Sequence, residues 1–400
     1  MTSTPLEPLV RDRPSSTGGR PIPGWAFVGA GLTAIGGPLA LSALLAPSIA
    51  QDGIKSGGLI TLAAAVVFLA PLGIWMRYSR HIATSGGLYS FVDAAVGHRL
   101  ALVQGGLWIL SYLLYIMYTT TQVVYDTLPV VVPGIRPFQP LLEILIPAAL
   151  FASMAAGRTV TLLIMAVIGF GQLGLAATLG GLTIAHLGAP LSSFALHAPA
   201  GVAATATAQT SLLYICASLP LFLGGETRPA TVRRGLVTTY ALTIAVILAF
   251  VLPLAASPSF AREEIPGMTA ATLFAGPNAG TVIGIATAVS ICGVMLAEYL
   301  GLSRLIPAMT GLRRRPVIIG IGLVILVSAP LSLINPDAFY DTLLRISLLA
   351  LWSSQLLVFA TYPRFVRRIG GRAIPAWTLS VISCALALYG VWATLHHASS

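Results

Sequence analysis

Two groups of residues in this sequence place glycine and proline where long apolar runs would otherwise continue: Gly36-Gly37-Pro38, and Ser218-Leu219-Pro220 followed by Gly224-Gly225. The chemistry such residues offer is that of open backbone. Glycine tolerates the conformations a broken helix needs, and proline suits the first position of a new helix, where its missing N–H costs nothing. A half-helix that starts there presents free N–H groups and the positive end of its dipole, which attract anionic groups, while unwound carbonyls accept from cationic ones. Either group taken alone also fits plain packing, because glycine and proline are common in membrane helices whose neighbours re-satisfy the backbone.

Few side chains add ionic chemistry. Glu298 is the acidic residue deepest within an apolar run, about one turn from the end of that run, and an intramembrane carboxylate is a functional candidate by default. It reads either as a proton carrier or as the partner of Arg304 or of a neighbouring loop arginine. Asp341 and Arg345 stand four apart, spaced to share a helical face and one ion pair, with snorkelling of Arg345 toward the surface as the plainer reading. Tyr112, Tyr115 and Tyr118 share a helical stripe, which packing also explains. The histidines (His81, His98, His186, His197, His396 and His397) show no ligand spacing. The convergent metal site that an integral membrane enzyme would use is therefore not expected, nor is any cofactor. Cys216, Cys292 and Cys384 all fall within apolar runs and read as small hydrophobes, not as a disulfide framework.

The elements that must position these residues are membrane spans. Of the 400 residues, 56% are hydrophobic and 8% charged, with a mean hydropathy of +0.89, which excludes a sizeable soluble domain. Apolar windows of spanning length fall at about 24–48, 57–78, 100–129, 139–156, 158–186, 208–225, 235–257, 279–301, 316–335, 338–361 and 374–396. This predicts an all-α polytopic membrane protein of about 11 transmembrane helices. Residues 1–23, rich in proline and small polar residues, read as a disordered cytoplasmic tail. The net charge of +10 comes from short basic clusters between spans, so topology explains it better than a nucleic-acid partner does. With the N-terminus inside an inner membrane, 18 of the 22 basic residues fall on the cytoplasmic side, as the positive-inside rule requires. The two Gly-Pro groups then lie five spans apart, at equivalent places in two five-helix halves of opposite topology, the arrangement of inverted-repeat transporters. The halves are 24–186 and 208–361, with 374–396 as a peripheral eleventh helix.

Between spans two and three the sequence reads Ser85-Gly86-Gly87-Leu88-Tyr89, then Gly97, then Gly105-Gly106. Gly225-Glu226-Thr227-Arg228-Pro229 with Arg233-Arg234 follows span six, and Ser303-Arg304 with Pro307 and Arg313-Arg314-Arg315 follows span eight. Together with the stretch 266–280 before span eight, these segments resemble the amino acid-polyamine-organocation (APC) superfamily over residues 24 to about 310. That family most often has twelve helices; the one missing here lies outside the ten-helix core.

The resemblance implies a LeuT-like five-plus-five inverted repeat with discontinuous helices one and six. It implies a secondary transporter of a small amino acid or related amine that works by alternating access, with no covalent chemistry. Substrate contacts would come from Ala34, Ile35, Gly36 and Gly37 in helix one and from Tyr214, Ile215, Cys216, Ala217 and Ser218 in helix six. Gly29-Ala30-Gly31 competes for the helix-one motif and ranks lower, being close to the bilayer edge. Cys216-Ala217-Ser218 replaces the family's usual aromatic-x-Gly-aromatic pattern, which leaves substrate identity open, and the absence of charge in either break favours a substrate without a charged side chain. Gln172 stands where several proton-coupled members carry a lysine in place of a sodium ion. A glutamine cannot titrate, so sodium, a proton carried elsewhere (Glu298 being the other coupling candidate) or uncoupled exchange stay open. Glu226 with its arginines would fasten an inner gate or serve as a plain positive-inside anchor, and Arg345, beside Asp341, would belong to an outer gate of the kind related transporters close with an Arg–Asp pair across helices one and ten. A non-transporting sensor of the same fold satisfies the same residues; an integral membrane enzyme is the alternative of a different class.

Overall fold

The computed structural model describes residues 21–396. Most of the expected tail, residues 1–20, lies outside the described residues; Ile22, within the same stretch, is buried, and its N–H donates to the Glu226 carbonyl at 2.9 Å. Among the described residues every regular element is helical. Ten continuous helical runs are long and apolar enough to cross a membrane. The first, Gly24–His81, has 58 residues, about 87 Å if straight, against a hydrocarbon core of about 30 Å. It is two crossings. Gly24 lies against Thr231 and Gly31 against Thr239, so the first crossing runs parallel to Pro229–Leu254; Gly57 lies against Val251, and Tyr240 donates to the Ala65 carbonyl at 2.6 Å, so the second runs antiparallel to it. The reversal falls in the short 3₁₀ segment Gln51–Ser56, where Gly53 leaves helical geometry.

Eleven spans result, and the chain is a multi-pass membrane protein. Spans two to five are Gly57–His81, the run His98–Val131, Gln139–Ala155 and Arg158–Leu187. Span six is the run Ala200–Glu226, and spans seven to eleven are Pro229–Leu254, Pro277–Thr310, Arg314–Ser332, Pro336–Arg368 and Ala373–His396. Large apolar side chains point outward along the spans, Val66, Val167 and Val327 among them at 59%, 65% and 73% exposure. That is the surface of a protein whose solvent is lipid.

The two halves mirror each other in detail. A short helix follows the second span of each half, Leu88–Val96 and Pro266–Ala275. Each runs into the next span through a glycine of nearly the same geometry, Gly97 at φ 101°, ψ 169° and Gly276 at φ 92°, ψ 169°. A residue with a Cβ is strained at such angles.

Four expected boundaries move by six residues or more, among them the start of span seven, at Pro229 and not 235, and the end of span ten, at Arg368 and not 361. Span six begins at Ala200, not near 208, because its first turns are small and polar (Thr205, Thr207, Gln209) yet still helical. Span eight continues past 301 to Thr310, where Gly311 caps it in the left-handed conformation. Polar Ser303 and Arg304 ended the apolar window but are buried inside the bundle.

Candidate functional site

Span one is interrupted where the glycines stand. The helix Gly24–Ala34 ends, Gly36 and Gly37 take φ of 115° and 69°, and a new helix starts with Pro38 at its first position. Helix geometry leaves the last carbonyls of the first piece and the first N–H groups of the second without intrahelical partners. One of these is claimed from across the bundle: the Ala40 N–H donates to Ser290 Oγ of span eight at 3.2 Å, and that hydroxyl donates to Gln172 Oε1 of span five at 2.8 Å. Any Cβ on Gly37 would run into both Ser290 and Gln172. Gln172 therefore sits at the break, and Ser290 is a partner that the sequence did not single out. Gly29 and Gly31 remain helical and serve as packing contacts, against Ala166 and Thr239.

Span six is interrupted differently. Its α-helix ends at Leu212, and the chain continues as a 3₁₀ helix over Leu213–Glu226 with Pro220 inside it. Pro220 thus opens no new half-helix, contrary to expectation. The change of winding turns the side chains apart. Ile215 and Cys216 line a cavity; Tyr214 instead packs its ring on Phe68 and Tyr240, with centroids at 5.6 and 5.5 Å, and the buried Ser218 hydroxyl donates to the Ile215 carbonyl of its own turn at 3.0 Å.

The cavity measures about 420 Å³ and reaches from Gly36 and Cys216 toward the end of the bundle remote from the arginine clusters. Its walls are mainly aliphatic: Leu41 and Leu44 of span one, Leu213 of span six, Ile291 and Val294 of span eight, Leu348 of span ten. Tyr115, Gln122, Gln209, Trp352 and Thr394 supply the polar and aromatic edges. Two lining segments are wound as π-helix, Leu41–Leu45 and Gln122–Thr127; such bulges re-aim side chains and recur at functional sites. Span eleven, expected to be peripheral, also contributes, because Gly390 lets it close onto the Trp352 indole.

On the arginine-rich side the bundle is closely packed. Between spans one and six lies a void of about 10 Å³, lined by Ala34, Leu219 and Pro220 among others, room for one water at most. Ala34 thus faces this void, while Ile35 and Ala217 are buried in the core. Beyond the void, Glu226 at the end of span six meets Arg304 Nε of span eight and Arg158 Nε of span five, each at 3.0 Å, with Arg314 Nη1 of span nine at 4.0 Å. The Arg304 side chain is 2% exposed, so this charge-assisted bond is largely screened from water.

Arg304 is thereby committed to Glu226 and not to Glu298. Glu298 itself is fully buried, twelve residues from the end of span eight, about 18 Å along the axis instead of the single turn expected. Neither carboxylate oxygen has a hydrogen-bond partner among the described residues. Its electrostatic neighbours are Tyr112, Tyr115 and Tyr118 of span three and Cys216 of span six. Asp341 and Arg345 are exposed on span ten and are not among the residues lining the cavity. A second buried carboxylate, Glu143 of span four, escaped the sequence reading. It lies within the short, weakly apolar fourth span, and its neighbours Thr121 and Ser332 belong to spans three and nine.

No protein-family model matches the chain, and no curated protein matches its sequence. Solved structures do. MhsT in complex with L-phenylalanine superposes with a TM-score of 0.62 over 95% of this chain and 100% of that one, at 12% identity. A mutant of the Eremococcus coleocola manganese transporter gives 0.63 over 94% and 89%, also at 12% identity. The chain has the LeuT-like transporter fold, an all-α inverted repeat whose first and sixth spans are discontinuous.

Proposed function

We propose that this protein is a secondary active transporter of the cell membrane that moves a small amino acid or related amine by alternating access, with its N-terminus in the cytoplasm. The observation that carries the proposal is the single-sided cavity: about 420 Å³ ending at the interruptions of spans one and six, closed beneath by the Glu226 cluster. In this orientation the arginine-rich end is cytoplasmic, as the charge bias requires, and the structure corresponds to an outward-facing state with its inner gate shut. Translocation then needs the bundle that holds spans one and six to rock against its neighbours, breaking the Glu226 contacts while the outer cavity closes.

The aliphatic walls favour an organic solute with an apolar body over a bare metal ion, which takes oxygen, nitrogen or sulfur ligands in number. MhsT, crystallised with L-phenylalanine, supports the organic reading. The manganese transporter shares only the fold with this chain. Gln172, tied through Ser290 to the break, acts by hydrogen bonding and cannot carry a proton, so a sodium or proton gradient would act elsewhere or through the geometry of the break.

Counterflow in proteoliposomes, run against a panel of amino acids and amines with and without imposed sodium and pH gradients, tests the proposal. Exchange of at least one panel member is expected. Saturable binding without exchange of any compound would assign the protein as a sensor of the same fold.

A further inference from the structure

Glu298 is costly to bury where it stands. A carboxylate removed from water with no hydrogen-bond partner is strongly disfavoured unless it is neutralised or meets a cation. Its position is informative. Ile291 and Val294, which line the cavity, lie seven and four residues before it on span eight, so all three share one helical face. Glu298 thus continues the cavity wall downward by about one turn, some 6 Å. The cavity-lining Cys216 and Tyr115 are both within its electrostatic reach. Among the described residues no lysine, arginine or histidine lines the cavity, and Arg304, the basic residue next along span eight, is held by Glu226.

An independent feature surrounds the carboxylate. Trp108, Tyr112, Tyr115, Tyr118 and Tyr340 form an unbroken series of ring contacts, with centroid separations of 3.8, 6.4, 5.1 and 5.5 Å. The series descends from the outer end of span ten to the depth of Glu298. Aromatic faces attract cations. At the top of the series Asp126 and Asp341 act on Tyr340, and Asp337 acts on Asp126, while Arg345 lies one turn below Asp341 on span ten. Three carboxylates at the outer end of this series attract cations.

We infer that the solute is a monocationic amine with an apolar body, and that Glu298, beneath the aromatic wall formed by Tyr112, Tyr115 and Tyr118, is the counter-ion of its ammonium group. This rests on the transporter reading and narrows it: the alkyl or aryl portion occupies the aliphatic cavity, and a free carboxylate on the solute would find no basic side chain there.

The test is equilibrium binding to the purified full-length protein in nanodiscs, with matched pairs as probes: 2-phenylethylamine against L-phenylalanine and 3-methylbutylamine against L-leucine. At least one amine should bind at least ~10-fold more tightly than its amino acid, and E298Q should lose about 100-fold of amine affinity, the scale for truncating one partner of a buried charge pair. Because E298Q could also perturb folding, a second measurement uses the native carboxylate. In a variant carrying C292A and C384A, the amine should protect Cys216 from alkylation while the amino acid should not. Tighter binding of the amino acids, unchanged amine binding in E298Q, or equal protection by both members of a pair would each overturn the inference. Flux separates the two proposals: amine binding without counterflow sinks transport but keeps this site, whereas amino acid counterflow without amine binding keeps transport and sinks this site.

Discussion

Spans one and six occupy matching places in the two halves, and each stops being an α-helix at mid-course, but they do so by different physical means. In span one the interruption is a point: two glycines at φ 115° and 69°, then a proline that starts a second helix. In span six it is a stretch of 14 residues rewound to 3₁₀ geometry, with the only proline inside it and no positive φ. The repeat dictates where a helix must yield, and local residues decide how. The difference has an energetic side. The point break is held by a buried hydrogen-bond chain to spans five and eight, whereas long 3₁₀ segments have poorer hydrogen bonds and are rare. On the proposed alternating-access reading, span one is the fixed member of the pair and span six the one that rewinds, with Glu226 at its tip as the proposed latch.

The sharpest way to break that contrast is Gly37→Val. A β-branched residue at φ 69° is strained by the backbone alone, and its Cβ collides with Ser290 and Gln172. Counterflow should fall below detection while the protein still reaches the membrane and purifies as a single species. Exchange near the wild-type rate would mean that the point break is dispensable. Next in size is Glu226→Gln, which leaves the nearly inaccessible Arg304 without its carboxylate, a loss that costs about 3 kcal/mol or more for a fully buried pair and less here, since the Glu226 side chain is 15% exposed. The arginine-rich end should open. With Leu219→Cys as reporter in the small void beneath the break, alkylation from that side by an impermeant maleimide should speed up at least ~10-fold, about 1.4 kcal/mol of shifted equilibrium. An unchanged rate would show that the latch lies elsewhere.

Ser290→Ala probes the anchor of the fixed break more gently. It removes the acceptor for the Ala40 N–H and the donor to Gln172, a change worth about 1–2 kcal/mol. Solute affinity should weaken by up to ~10-fold with little change in maximal rate; a purely structural serine would lower the yield of folded protein and leave affinity intact.

How far these features could be read from the chain depends on which forces write themselves locally. The span-one break is legible because glycine followed by proline has one economical use within an apolar run, and the structure puts it where Gly36, Gly37 and Pro38 stand. The same signature misleads at Pro220, since a 3₁₀ helix also accommodates proline and the residue alone does not choose between the two windings. The Glu226 cluster was visible as an acid beside basic loops, but which arginine it holds depends on spans far apart in the chain, from Arg158 to Arg314. Span eight looked nine residues shorter because a polar residue ends a hydropathy window whether it faces water or a buried partner, and this misplaced Glu298 near the surface. Ser290 gave no signal at all: a lone serine in a membrane helix most often bonds its own backbone, and only the fold brings it beside the break.

The smallest expected effect is also the one that discriminates most finely between the two kinds of interruption. If Pro220 merely lies within a rewound stretch, then Pro220→Ala restores one backbone N–H and relieves no break, so solute affinity and exchange should stay within about twofold of wild type. The corresponding change in span one, Pro38→Ala, removes the residue preset for the first helical position, so the half-helix should start less sharply, at a cost of about 0.5–1 kcal/mol, a two- to fivefold loss of affinity. Measuring both by binding and counterflow in the same preparation compares the halves directly. Equal losses would mean that Pro220 opens a half-helix in another state of the transport cycle and that the two spans break alike when the cavity faces the other way. A loss confined to Pro38→Ala would leave span one as the fixed floor of the site and span six as the part that rewinds.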